Sequence, residues 1–475
     1  MTMKRYLTVY TVPEQRQGAY ALSVQPCQEG VHFQRDRPIR FEARLTRGGR
    51  PCSTGELYAY FKWNSEQVVW HAVLPLVDGR ARIDFTCEQC GFGNLHVIYR
   101  RNGAEVFEQL RGIAISPERL RRSYSCPPDF DAFWRTQKAA LAAIPLVARA
   151  TPITPTSHSR LHGCSHRSLV EGDASAVEIA DVQVDCTDRP VSGILTLPRR
   201  RSARSLPAVL YLHGAGVRPC EPGRFLAQAA RGAMVYEINA HGIANDQPAA
   251  WYAARGNDEL LGYAQRGRDS RERYYFLGMF LRVKRALDYL ISRPEWDGRN
   301  LVVMGGSQGA AQAYAGAYLE DRVSAIAASI PAYGDLTGFL RGRRMSFDDW
   351  LHLGPRGLLA PEITAVAPYF DAVNFLRRYR RRLCVAFGLL DQGCLPTTNF
   401  VPIAECPAAA TVILQSDVYH RVTPAADAMM WDFALDREVR SGRKITAPRM
   451  TPSPSDRGLH ARPRRRRQQA QRHVD

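Results

Sequence analysis

The residues best suited to covalent chemistry are Gly305-Gly306-Ser307-Gln308-Gly309, a G-x-S-x-G arrangement. A hydroxyl perched on a tight strand-to-helix turn needs small neighbours on both sides, and the glycines supply that room. The apolar run Leu301-Val302-Val303-Met304 precedes the motif, and an alanine-rich helical pattern follows from about Gln308 to Leu319. Ser307 is therefore the expected nucleophile. A serine hydroxyl is a weak nucleophile until a base takes its proton, and in this arrangement an acid and then a histidine follow in the chain. The histidines after Ser307 are His352, His420, His460 and His473. The last two fall in a basic tail, and His352 precedes the expected acid. His420 comes six residues after the strand ending at Leu414, on a loop that can return to the serine. Asp391 follows the strand ending at Phe387 and is the expected acid. Asp417, three residues before His420, is the rival and reads as a turn residue. A tetrahedral intermediate needs two N–H donors, expected from the backbone of Gln308 and of Ala215 in His213-Gly214-Ala215-Gly216. His213 reads as a loop-stabilising side chain, and His241, beyond another strand end, as a pocket-lining one.

The elements that would position these residues come in two styles. From Tyr6 to about Ile115 short alternating runs such as Ile39-Arg40-Phe41-Glu42-Ala43-Arg44-Leu45 are broken by Gly48-Gly49, Asp78-Gly79 and Asn102-Gly103. That pattern predicts a small Ig-like β-sandwich over residues 1–118, with a packing or substrate-presenting role. At Pro127 the character changes, and an amphipathic helix is predicted from Asp129 to about Ala143. Continuous apolar strands then alternate with helices, at 207–212, 233–238, 301–304, 325–329, 383–387 and 411–414. Such strands belong to a sheet buried on both faces, hence a mostly parallel one. The predicted class is α/β, an α/β-hydrolase fold over residues 119–438. A segment from Tyr333 to Tyr369, holding Trp350, is predicted to cap a pocket, and residues 439–475 read as a basic disordered tail.

Composition narrows the partners. In 475 residues, 45% hydrophobic and 23% charged content excludes wholesale disorder. The net charge of +18 is half accounted for by residues 440–475, where eleven Lys or Arg face two Asp. No specific nucleic-acid partner is inferred from a charge so placed. Eleven cysteines at irregular spacing do not form a disulfide framework. Cys87 and Cys90 make one C-x-x-C with no second pair, and His162-Gly163-Cys164-Ser165-His166 reads as a polar loop, so no metal is expected. No signal-peptide core and no run of eighteen apolar residues is seen, which predicts a cytoplasmic protein without a membrane partner.

Several motifs in order carry a resemblance. Pro128-Asp129-Phe130-Asp131-Ala132-Phe133-Trp134, Arg273-Tyr274-Tyr275-Phe276-Leu277-Gly278-Met279, Ser292-Arg293-Pro294-Glu295-Trp296-Asp297, the serine motif, and Asp391-Gln392-Gly393-Cys394-Leu395-Pro396-Thr397-Thr398 together resemble the acetyl xylan esterase and cephalosporin C deacetylase family, over about residues 115 to 435. The resemblance implies removal of acetyl groups from O-acetylated sugars or related small esters through an acetyl-serine intermediate. It implies no cofactor, with Ser307, Asp391 and His420 as triad and the amides of Gln308 and Ala215 as oxyanion donors. Many members carry Tyr where this chain has Ala215, which leaves the amide available and changes the pocket wall. The expected partner is a small acetylated substrate, a carbohydrate by resemblance, and a homo-oligomer stays open. The rival readings are a serine peptidase or dienelactone-type hydrolase of the same fold, and an inactive protein binding through its β domain or basic tail.

Overall fold

The computed structural model of the protein describes residues 3–12, 14–154, 174–344 and 360–436. The expectations for His162, Cys164, His166, Trp350, His352, His460, His473 and the basic tail lie outside these residues.

Among the described residues the largest element is a ten-stranded sheet. Its strands are β1 (Lys4–Val9) and, after the smaller sheets described below, β12 (Ala148–Ile153), β13 (Val177–Val184), β14 (Val191–Pro198), β15 (Leu206–Leu212), β16 (Met234–Ile238), β17 (Trp296–Gly306), β18 (Ala325–Ser329), β19 (Arg382–Gly388) and β20 (Ala410–Gln415). Their spatial order is β1-β20-β19-β18-β17-β15-β16-β14-β13-β12. From β1 to β16 every neighbouring pair is parallel, and β14, β13 and β12 extend the far side antiparallel.

The parallel strands are buried on both faces, and side-chain alternation divides them between two cores. Leu210, Leu212, Val303, Ile326, Val385 and Leu414 point to one side. There they meet α4 (Tyr275–Ser292) and α5 (Gln308–Leu319), which follow α1 (Phe130–Ala142), α2 (Leu226–Ala230) and α3 (Ala249–Asn257) in the chain. Val209, Val302, Met304, Ala327, Ala386 and Ile413 point to the other side, against the helix Pro424–Ala434. Helix α4 stops at Ser292 because Arg293, which precedes Pro294, is held extended at φ −73°, ψ 132°. The helix predicted from sequence at about 308–319 has the same limits as α5.

Residues 14–115 form two smaller sheets. Their strands are β2 (Glu14–Gln17), β3 (Tyr20–Pro26), β4 (His32–Phe33), β5 (Ile39–Arg47), β6 (Arg50–Pro51), β7 (Glu56–Trp63), β8 (Gln67–Leu74), β9 (Arg80–Phe85), β10 (Gly91–Arg101) and β11 (Ala104–Ile115). One sheet runs β4-β11-β10-β7-β8; the other joins β2, β3, β5 and β6, with β9 paired to β5. The alternation read in the sequence becomes strict in β5, where Ile39, Phe41, Ala43 and Leu45 are buried and the residues between them exposed. These face Leu57, Ala59, Phe61, Leu95 and Val97 of the other sheet in one apolar core.

Strand β1 lies outside the smaller sheets. It adds to the edge of the large sheet, with Leu7 opposite Ile413 of β20, and the described residues form one compact unit. The described parts of the segment expected to form a cap pack into the body instead: Tyr333, Asp335 and Leu336 are buried, and Trp134 Nε1 donates to the carbonyl of Tyr369.

Candidate active site

Ser307 sits between the end of β17 and the first residue of α5, with φ 56° and ψ −122°. A non-glycine residue at positive φ is strained and persists only where its surroundings enforce it. Here the Ser307 amide donates to Ser329 O at 2.9 Å, and the Ser307 carbonyl accepts from the amides of Ala310 and Ala332. Gly309 passes so close to β15 that a Cβ there would collide with the Leu212 carbonyl. That contact explains the second glycine of the motif.

The three residues selected from chain order meet at the carboxyl end of the parallel strands. His420 Nε2 lies 3.1 Å from Ser307 Oγ, and His420 Nδ1 lies 2.7 Å from Asp391 Oδ2. Asp391 is buried, and its Oδ1 accepts from the amides of Gly393 at 2.9 Å and Cys394 at 2.8 Å. An ionised carboxylate only accepts hydrogen bonds, so the imidazole proton belongs on Nδ1 and the Nε2 lone pair faces the serine hydroxyl. Cys394 Sγ lies 3.8 Å from Ser307 Oγ, and burial raises its thiol pKa well above the ordinary value.

Asp417, the rival acid, is otherwise engaged. Its carboxylate accepts from the amides of Thr11 and Val12 and from Thr11 Oγ1, and it lies 3.9 Å from Arg111 Nη1. It therefore ties the loop carrying His420 to the N-terminal segment. The adjoining backbone is interlaced too: Leu389 donates to Gln415 O, Leu390 to Val418 O, and Gly112 of β11 to Ser416 O.

The loop after β15 runs beside the nucleophile, since a Cβ on Gly214 would lie 3.5 Å from Ser307 Cβ. Gly214 O is held at 2.7 Å by His213 Nδ1 and at 2.8 Å by Arg218 Nη2. Because the peptide is planar and trans, fixing that carbonyl fixes the Ala215 N–H in the opposite direction. Among the described residues neither the Ala215 amide nor the Gln308 amide has a hydrogen-bond partner. Both amides lie on segments that flank Ser307. His213 Nε2 accepts from the Ala240 amide at 3.3 Å, and burial, reinforced by the Arg218 charge, keeps its pKa well below the usual histidine value. His213 is thus a neutral brace for the loop. His241, expected in the pocket wall, is fully buried; its Nδ1 pairs with Tyr275 Oη at 2.8 Å, and burial and the Arg282 charge push it down to about 3.

A cavity of about 480 Å³ adjoins the loop, lined among others by Ala215, Gly216, Tyr252, Asn257, Tyr263 and Gln265. That volume falls within the usual range for small-molecule sites. Tyr263 Oη donates to Gln308 Oε1 at 2.6 Å, anchoring the side chain next to the nucleophile, and burial pushes the phenol up to about 12. Neither Tyr263 nor α3 was singled out by the sequence, because no motif or period marks them. Cys87 and Cys90 lie in the connection before β10, where the Cys87 thiol donates to Gln89 Oε1 at 3.2 Å.

Three comparisons bear on this geometry. The acetyl xylan esterase family profile matches residues 118–432. The chain is 32% identical over 332 residues to acetyl esterase Axe7A of Xylanibacter ruminicola, a match covering 69% of this chain and 70% of that one. In fold it is similar to the acetyl xylan esterase from Paenibacillus sp. R4, with a TM-score of 0.57 at 23% identity over 68% of this chain and 98% of that one. Acetyl xylan esterase 1 from Thermoanaerobacterium sp. JW/SL YS485 superimposes with a TM-score of 0.56 at 20% identity, over 67% of this chain and 97% of that structure. With a family profile covering residues 118–432 and a relative this similar, the chain belongs to the acetyl xylan esterase family of serine hydrolases.

Proposed function

We propose that the protein removes acetyl groups from O-acetylated sugars by double displacement at Ser307. His420 Nε2 takes the Ser307 proton as Oγ attacks the acetyl carbonyl carbon. The carbonyl oxygen becomes an oxyanion facing the Ala215 and Gln308 amides, donors that need no reorganisation when the charge develops. Collapse breaks the bond to the sugar oxygen, which leaves with the proton held on His420. The resulting acetyl-serine is hydrolysed in the same way, with His420 deprotonating the attacking water and returning the proton to Ser307 Oγ as acetate departs. Asp391 keeps the imidazole in the required tautomer and stabilises it when it is charged. The observation carrying this reading is the unbroken hydrogen-bonded series from buried Asp391 through His420 to strained Ser307. It is tested by p-nitrophenyl acetate turnover in Ser307→Ala, which should fall about 10⁶-fold. Turnover unchanged in that variant would rule out Ser307 as the nucleophile.

A further inference from the structure

The sheet β4-β11-β10-β7-β8 turns one face to the apolar core of the smaller sheets and the other outward. Side chains on the outward face follow from the register. Tyr58, Tyr60 and Lys62 of β7 lie opposite Val73, His71 and Val68 of β8, and opposite Ile98, His96 and Asn94 of β10. On β11 the same face carries Glu108, Leu110 and Gly112.

One end of this face is docked on the active-site loops. A Cβ at Gly112 would collide with Leu389 Cβ, and Ser416 Oγ donates to the Gly112 carbonyl. Asn94, its amide oriented so that nitrogen faces carbonyls, donates to Leu389 O at 3.2 Å. The other end is open and aromatic. Tyr60 stacks on His96 at 4.3 Å, Tyr58 lies 5.7 Å from Tyr60, and His71 lies 6.3 Å from Tyr58. Val68 and Val73 are 49% and 58% exposed beside them. Charged groups of both signs are interleaved: Arg100 lies over Tyr58, Lys62 over Tyr60, and Glu108 holds His96 at 2.6 Å. Two residues of β11, roughly 7 Å, separate docked Gly112 from Leu110, which pairs with His96. Tyr419, adjacent to His420, is 48% exposed. Its hydroxyl pKa is raised by burial and then by the carboxylate of Glu108, the same residue that holds His96.

We propose that this outward face, centred on Tyr58, Tyr60, His71 and His96, binds the pyranose chain of a polymeric substrate and delivers its acetyl groups to the Ser307 site. The chemistry is that of sugar recognition. Pyranose rings lay their C–H faces on aromatic planes, while hydroxyls pair with interleaved carboxylate, imidazole and cationic groups. The platform is continuous with the loops bearing Asp391 and His420, which an occupant unrelated to the substrate would not require. The assignment rests on the deacetylase reading above and narrows it to chain-like substrates.

The test uses the full chain. Migration is measured in native gels containing deacetylated xylan, alongside the KM for acetylated xylan and turnover of p-nitrophenyl acetate, which is too small to span both regions. Ser307→Ala should be retarded by xylan as strongly as the unaltered chain. The Tyr58→Ala/Tyr60→Ala double variant should lose retardation and show a KM for acetylated xylan raised about tenfold, with unchanged p-nitrophenyl acetate turnover. Full retardation and an unchanged KM in the double variant overturn the platform while leaving the nucleophile standing. Full esterase activity in Ser307→Ala overturns the nucleophile while leaving the gel result standing. If the double variant loses activity on the small ester through misfolding, exposed His71→Ala carries the test. It should raise the KM for acetylated xylan about threefold, and an unchanged KM again overturns the proposal.

Discussion

At the scale of single residues, the proposed chemistry depends on which nitrogen of His420 carries the proton. Asp391 settles that by accepting at 2.7 Å from Nδ1, and its second oxygen is fixed by the amides of Gly393 and Cys394. Asp391→Asn preserves the shape but offers an amide N–H to Nδ1, which favours the opposite tautomer. We expect kcat on p-nitrophenyl acetate to fall about 10³- to 10⁴-fold with KM little changed; a loss confined to KM would contradict this role. Ser307 was legible in the sequence because its constraint is local: a turn this tight can be read from five consecutive residues. Asp391 and His420 were legible only through chain order and strand ends, and the structure brings both to the serine. Tyr263 was not legible, since its bond to Gln308 spans 45 positions and no periodic pattern points to it.

At the scale of elements, the loop carrying His420 is held from outside the hydrolase strands. Asp417 accepts from residues 11 and 12 and faces Arg111 of β11, with both side chains almost wholly buried. Asp417→Asn removes the counter-charge from a buried pair and turns one acceptor into a donor facing N–H groups. The expected cost is about 3 kcal/mol, read as a lowered urea midpoint. The base loop should loosen with it, lowering kcat less than Asp391→Asn does. A variant as stable as the unaltered chain would show that the clamp is redundant. The parallel strands could be placed from sequence because burial on both faces writes an unbroken apolar run. Strand β1 could not be placed among them. Lys4-Arg5-Tyr6-Leu7-Thr8-Val9 carries no unbroken apolar run, and its partners on β20 lie 406 residues away.

At the scale of the whole molecule, the N-terminal region and the hydrolase strands are interlocked. Strand β1 completes the large sheet, residues 11–12 hold the base loop, and β11 abuts Leu389 and Ser416. Removing residues 1–118 would expose the edge of β20 and strip Asp417 of its donors, so the shortened chain should aggregate and lack esterase activity. A soluble fragment with full p-nitrophenyl acetate turnover would show instead that the region is a detachable appendage. If Ser307 is the hydroxyl made nucleophilic by His420, covalent labelling with a fluorophosphonate followed by peptide mass mapping should find it. One label is expected, on the peptide containing Ser307, lost in His420→Ala; a label on another residue, or equal labelling in His420→Ala, would remove Ser307 or His420 from these roles.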